Sequence, residues 1–353
     1  MLILSVYING SNLHNMMRPI QQILILLVLI ILIGTGCHRN PLEVDISDIG
    51  TEVSLERFDL EIFEIDMDTV DRAIGFFYKA YGDFFDIYNV HIINIGLASN
   101  RHYPAYLSMF LNDPTNREVY EYTSGIFSEV EKIDSQVNSG FRHYVYHYPD
   151  SVPPRIVGYV SGFNQGLFTV DGFVGVGLDQ YLGSKCSYYD HLKIPRYHTL
   201  YKRPDKIPSD LMYAWASHIY PYNDSLDNVL TRMIHQGMLY YFVDAMYPLM
   251  EDSLKIGFTS GQTAWCNHNE EQMWTYLVEK KLLFSTDPLV IRKLVEDAPN
   301  TQYFTSESPG RAAVWQGWQI IRAYVKRHPE LALHEVMSMR DYQEILRTSR
   351  YNP

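Results

Sequence analysis

Between Asp68 and Tyr88, and again between Arg117 and about Val137, apolar and aromatic residues return every three or four positions. Val70, Ile74, Phe77 and Tyr78 carry the first stretch and Val119, Tyr122, Ile126 and Val130 the second. That period matches the turn of an α-helix and predicts two core-facing helices. Arg155 to Val160 and Phe173 to Leu178 are short, rich in valine and aromatics, and bounded by Pro154, Gly162, Gly172 and Gly183, which predicts a small sheet. After Pro208 the pattern is helical. Side-chain oxygens able to satisfy the amides of a first helical turn stand at Ser209, Asp224 with Asp227, Thr259 with Gln262, Asp287 before Pro288, and Ser308 before Pro309. Leu226, Leu230, Met233, Gly237 and Tyr240 form one stripe on a helix ending before Pro248, and Gly237 leaves room there for a neighbouring element. The predicted class is α+β, a predominantly helical single domain with a small β-sheet. An intimate pair of lobes is the alternative for a domain this large.

The N-terminus carries a different pattern. Ile23 to Ile33 is an uncharged apolar run of about 11 residues, which fits a signal-peptide core and falls short of the roughly 20 that span a bilayer as a helix. Arg18 precedes it, and Gly34-Thr35-Gly36 lead to Cys37, where a lipoprotein signal peptidase would cut. Residues 1–36 are thus expected to be a signal peptide, with 1–15 an extension upstream of Met16 and Met17. Cys37 is the expected lipid attachment site: its thiol takes diacylglycerol and its freed amine a further chain such as palmitate. Two or three chains hold a protein on a bilayer, where one does so marginally. Gly34 stands where such signals usually have Leu, Val or Ile, so the alternative is an ordinary secretory signal or an N-terminal anchor that happens to contain a cysteine. Residues 37–52 are polar, contain Pro41 and read as a tether, and the globular domain is expected over 53–353.

Composition narrows the function classes. With 46% hydrophobic and 20% charged residues in 353, the chain lies far from disordered sequences. A formal charge of -12 removes any general reason to bind nucleic acid. Cys186 and Cys266 can form one disulfide or remain two thiols, and no CxxC pair points to zinc or redox work.

Catalytic motifs are missing where they would be expected. There is no P-loop, and Gly175-Val176-Gly177 lacks the third glycine of a dinucleotide fingerprint. Gly257-Phe258-Thr259-Ser260-Gly261 has threonine where a nucleophile elbow has serine. Zinc peptidases need two histidines one helical turn apart with a glutamate beside them, and no HExxH occurs; His334-Glu335 comes nearest, with Ser338 in the second ligand position. No metal or other cofactor is expected. The pocket candidates that remain are Asp179, His218, His235, Glu270 and Arg311.

Arg57-Phe58-Asp59, Gly177-Leu178-Asp179 with Tyr181-Leu182-Gly183, Met233-Ile234 with Gly237, Trp265-Cys266-Asn267 with Asn269-Glu270, Phe284-Ser285-Thr286-Asp287, and Pro309-Gly310-Arg311 with Trp315 and Gly317-Trp318 together carry a resemblance. The chain resembles the gliding-motility lipoprotein family GldB over roughly Glu56 to Tyr324. The resemblance implies an envelope lipoprotein of the Bacteroidetes type, tied to the motility apparatus and without established enzymatic activity. His38 and Arg39 follow Cys37 with no acidic cluster of the surface-export kind, so the expected anchor faces the periplasm. The layout also resembles, distantly, zincin-type peptidases. The corresponding helices would be Pro208 to Tyr220 and Ser225 to Tyr247, without the zinc motif and with Gln236-Gly237 in place of a Glu-Gly pair.

The leading expectation is a non-catalytic, lipid-anchored protein whose partners are the membrane, through Cys37, and envelope proteins. An exported hydrolase using His218, His235 and Glu270 is the second, and a solute- or glycan-binding lipoprotein the third.

Overall fold

The computed structural model describes residues 40–353 apart from 224 and 226. The predicted signal peptide, Cys37 and the capping residue Asp224 lie outside the described residues, as does Leu226. The chain divides after Glu43. In the short described part before that point, Asn40 accepts from the amides of Leu42 and Glu43. All helices and strands of the described residues lie within Val44–Pro353.

The elements in chain order are β1 (Leu55–Arg57), α1 (Phe58–Phe63), α2 (Val70–Tyr81), α3 (Asp83–Ile87), α4 (Tyr103–Asn112), α5 (Pro114–Ile126), α6 (Glu131–His147), β2 (Arg155–Tyr159), β3 (Leu167–Val170) and β4 (Phe173–Gly177). They continue with α7 (Ser187–His191), α8 (Arg196–Thr199), α9 (Ile207–Ile219), α10 (Val229–Met246), α11 (Asp252–Ile256), α12 (Ser260–His268), α13 (Glu270–Glu279), α14 (Pro288–Val295), α15 (Ala312–Arg327), α16 (Leu333–Ser338) and α17 (Tyr342–Ser349). This is a helix-dominated α+β domain, as the pattern predicts.

The sheet has the order β1-β2-β4-β3, with β1, β2 and β4 parallel and β3 antiparallel to β4. Leu55 lies opposite Ile156, and Ile156 opposite Val174. The two predicted strands are thus the central parallel pair. The edge strands escaped the pattern because one is three residues long and the other four, each half-buried or less regular than an alternating run.

Both long predicted helices are in fact pairs. The Asp68–Tyr88 stretch breaks at Gly82, whose φ of +52° belongs to glycine, so α2 and α3 fold against each other around Phe58. The ring of Phe58 meets Phe77, Tyr81, Phe84 and Tyr88 edge-on, with centroids 4.9–5.4 Å apart. Tyr78, expected in the core, is 37% exposed, and Tyr81 takes its place. The Arg117–Val137 stretch becomes α5, begun by the Asp113 cap and Pro114, and α6. Here Tyr120 is buried while Tyr122 is 45% exposed.

α10 is the centre of the C-terminal half. Every residue of it except Arg232 and Gln236 is buried, with α6, α9, α14, α15 and α17 among its neighbours. Its cap is Asn228, paired with Thr231 in a capping box, one residue beyond Asp227. Thr259 with Gln262, and Asp287, cap α12 and α14 as predicted. Two expected starts shift. Ser209 sits inside the first turn of α9 and bonds the carbonyl of Lys206. α15 starts at Ala312, because Ser308 is buried among Thr301 and Thr305 and the Ala312 amide is satisfied by Thr301 Oγ1 at 2.9 Å. Gly237 does admit a neighbour: a Cβ there would lie 2.4 Å from the backbone carbon of Gly317 on α15. Among the described residues no helix is long and apolar enough to cross a membrane.

Candidate functional site

The close crossing at Gly237 and Gly317 decides which side chains meet beyond it. One turn further along α10, Tyr240 lies 5.4 Å from the ring of Trp318, and Asp244, another turn on, receives Trp318 Nε1 at 2.8 Å. Asp244 also accepts from Lys255 Nζ at 2.7 Å and from Arg322 Nε and Nη2, each at 2.8 Å. Arg322 lies 3.9 Å over the Trp318 ring and extends to Asp252. Asp244 and Lys255 are almost completely buried, so each charge depends on these partners.

The last turn of α11 joins this group to a second one. The carbonyl of Lys255 accepts from Lys206 Nζ at 3.1 Å, and that of Ile256 from Arg311 Nη2 at 2.5 Å. Lys206, 3% exposed, also bonds Ser209 and Asp210, and Asp210 accepts from Tyr181 OH at 3.1 Å. Burial lowers the pKa of Lys206, against the pull of Asp210. Arg311 stands at φ +50°, just before α15, and bonds Asp297 at 2.9 Å and Tyr240 OH at 2.8 Å. Tyr201 OH donates to the other Asp297 oxygen at 3.2 Å. The result is a continuous polar chain through α9, α10, α11 and α15.

The five residues singled out in the sequence do not form one site: no hydrogen bond or ion pair joins any two of them among the described residues. Arg311 belongs to the chain just described. Asp179, fully buried, accepts from the amides of Ser161 at 2.9 Å and Phe163 at 2.7 Å, holding a turn in which Gly162 and Phe163 are both left-handed. His218 lies 3.3 Å from Asp171 in the β3–β4 turn and stacks on Trp215. His235 Nε2 meets the carbonyl of Tyr220 at 2.9 Å, and burial lowers its pKa. Glu270 accepts Tyr351 OH at 2.7 Å. Among the described residues no three His, Cys, Asp or Glu side chains come together as metal ligands. Cys186 and Cys266 are both free and buried, and burial raises both thiol pKa values.

Lys206, Asp210, Asp244, Lys255 and Arg322 were not anticipated. Two signals could have marked them: Lys206 and Asp210 are spaced i, i+4, and Asp244 is a lone charge in the apolar run Met238–Met246. An open groove of about 390 Å³ lies elsewhere, between Asn94 and Asn116, with Tyr106 and Met109 exposed along it.

Burial pushes the Asp179 carboxyl up to about 6, partly offset by the Phe163 and Ser161 bonds. A folded-state pKa above the unfolded value means the folded state holds the proton more tightly. That stabilisation is complete below about pH 4 and lost as pH rises through 6. The stability of the wild type relative to Asp179→Asn should therefore fall by roughly 3 kcal/mol between pH 4 and 7. Chemical denaturation across that range checks it, and a pH-independent difference would show that Asp179 ionises freely.

The model of one protein family, gliding motility protein GldB, matches residues 39–353. No curated protein and no solved structure matches the chain. The family match covers the whole described fold, from the Phe58 core to the crossing of α10 and α15. This chain belongs to the gliding motility lipoprotein family GldB.

Proposed function

We propose that this protein is a lipid-anchored, non-catalytic component of the cell envelope that acts by docking to envelope protein partners. One observation carries the reading. The charged groups of the polar chain between the helices are engaged with each other: Lys206 with Asp210, Lys255 and Arg322 with Asp244, Arg311 with Asp297. Proton transfer needs an acid or base free to exchange with a reacting group, and salt-bridged groups at helix junctions serve rigidity instead. Docking draws its energy from a few shaped anchors, often aromatic, on a rigid surface. Cys37 supplies the attachment, facing the periplasm.

A deletion strain complemented with alanine variants of Asp179, His218, His235, Glu270 and Arg311 tests this, each variant checked for abundance. Every variant that accumulates normally should restore function, while Cys37→Ser should lose both a palmitate-analogue label and function. A stable, correctly localised variant that is a complete null, yet still captures the same envelope partners, would require a catalytic role.

A further inference from the structure

Part of the predicted tether is bound to the domain. The Leu55 amide donates to Asp134 at 2.8 Å and the Val53 amide to Asn138 at 3.1 Å. Next along α6, Arg142 collects three carbonyls: Ile49 at 2.9 Å, Ser47 at 2.9 Å and Ile46 at 2.5 Å. Moving towards the N-terminus, the chain thus climbs α6 from its first turns towards its C-terminal end. Tyr146, 46% exposed, stands at that end, and Val152, 85% exposed, on the segment that leaves it.

The strap sets a length. From Cys37 to Val44 there are seven residues, a reach of at most about 25 Å at full extension. A domain of this size is roughly 50 Å across. With residues 44–52 released, the reach from Cys37 to Val53 would grow to about 55 Å, enough for any face to meet the membrane.

We infer that Arg142 straps the tether to α6 so that the C-terminal end of this helix rests on the bilayer, with Tyr146 at the headgroups. This rests on the lipid anchor at Cys37 proposed above. An aromatic ring with a polar tip suits the interface. The exposed Asp45, Asp48 and Asp150 on the same approach select a zwitterionic lipid surface over an anionic one.

The test uses the full lipoprotein in its own membrane, with benzoylphenylalanine in place of Tyr146 or, as control, of Met109. Met109 lines the groove shared with Asn116, which neighbours Gly162 beyond the far end of β2. Crosslinking to radiolabelled phospholipid is expected to be roughly tenfold stronger from position 146, because the short leash raises the local lipid concentration there. Arg142→Ala should bring it down to the level at 109. So should a flexible spacer of about 12 residues inserted after Leu42, which leaves the domain untouched. Equal lipid crosslinking from the two positions in a palmitate-labelled chain would overturn the orientation while sparing the anchor. Capture of a protein instead of lipid at 146 would also overturn it. A soluble, unlabelled chain would overturn the anchor itself, and this inference with it.

Discussion

Gly317→Val is expected to leave no folded domain. A Cβ at Gly317 would stand 1.9 Å from the carbonyl oxygen of Met233 and 2.4 Å from its carbon. Both are backbone atoms inside α10, so no rotamer change relieves the overlap and the two helices must separate. Separation would undo the packing of Trp315, Trp318, Ile320 and Ile321, all essentially buried. Even Gly317→Ala, which gains about 1 kcal/mol of helix propensity, should lose more than about 4 kcal/mol net, since overpacking against rigid backbone is among the costliest substitutions. Soluble yield and a thermal melt of the two variants check this. A Gly317→Ala protein with an unchanged melting transition would show that the helices do not cross this closely.

Asp244→Ala is expected to cost roughly 3–5 kcal/mol, near half the stability of an ordinary domain. It leaves Lys255, whose side chain is 3% exposed, with only the longer ion pair to Asp252 at 3.9 Å, and strands the Trp318 indole N–H, while Arg322 keeps Asp252. Lys255→Met should cost less, because it removes the stranded charge and leaves Asp244 held by Arg322 and Trp318. The order of the two variants distinguishes a buried ionic network from a solvated one. Urea denaturation with an unchanged m-value gives the comparison, and a loss below about 1 kcal/mol for Asp244→Ala would show that water reaches these groups.

Apart from the room left at Gly237, the expectations that the structure reproduced concern neighbours in sequence. The capping box of Thr259 and Gln262, the Asp287 cap, and the β2 and β4 strands all depend on residues a few positions apart, where periodicity and turn chemistry act directly. Fold class and family are likewise legible along the chain, because both are carried by patterns and motifs in it. Gly82 shows where such reasoning stops. The pattern runs through it, and only packing around Phe58 turns one amphipathic stretch into two helices.

The polar interior depends on contacts between distant parts of the chain. Asp244 and Arg322 are 78 residues apart, and Arg142 is more than 90 from the carbonyls it straps. Nothing local to either partner specifies the other. A charge in an apolar helix shows that it needs a partner, since an unpaired buried charge is too costly. Which partner it finds depends on where two backbones cross, and here that is set by two glycines on helices that meet only in the folded chain.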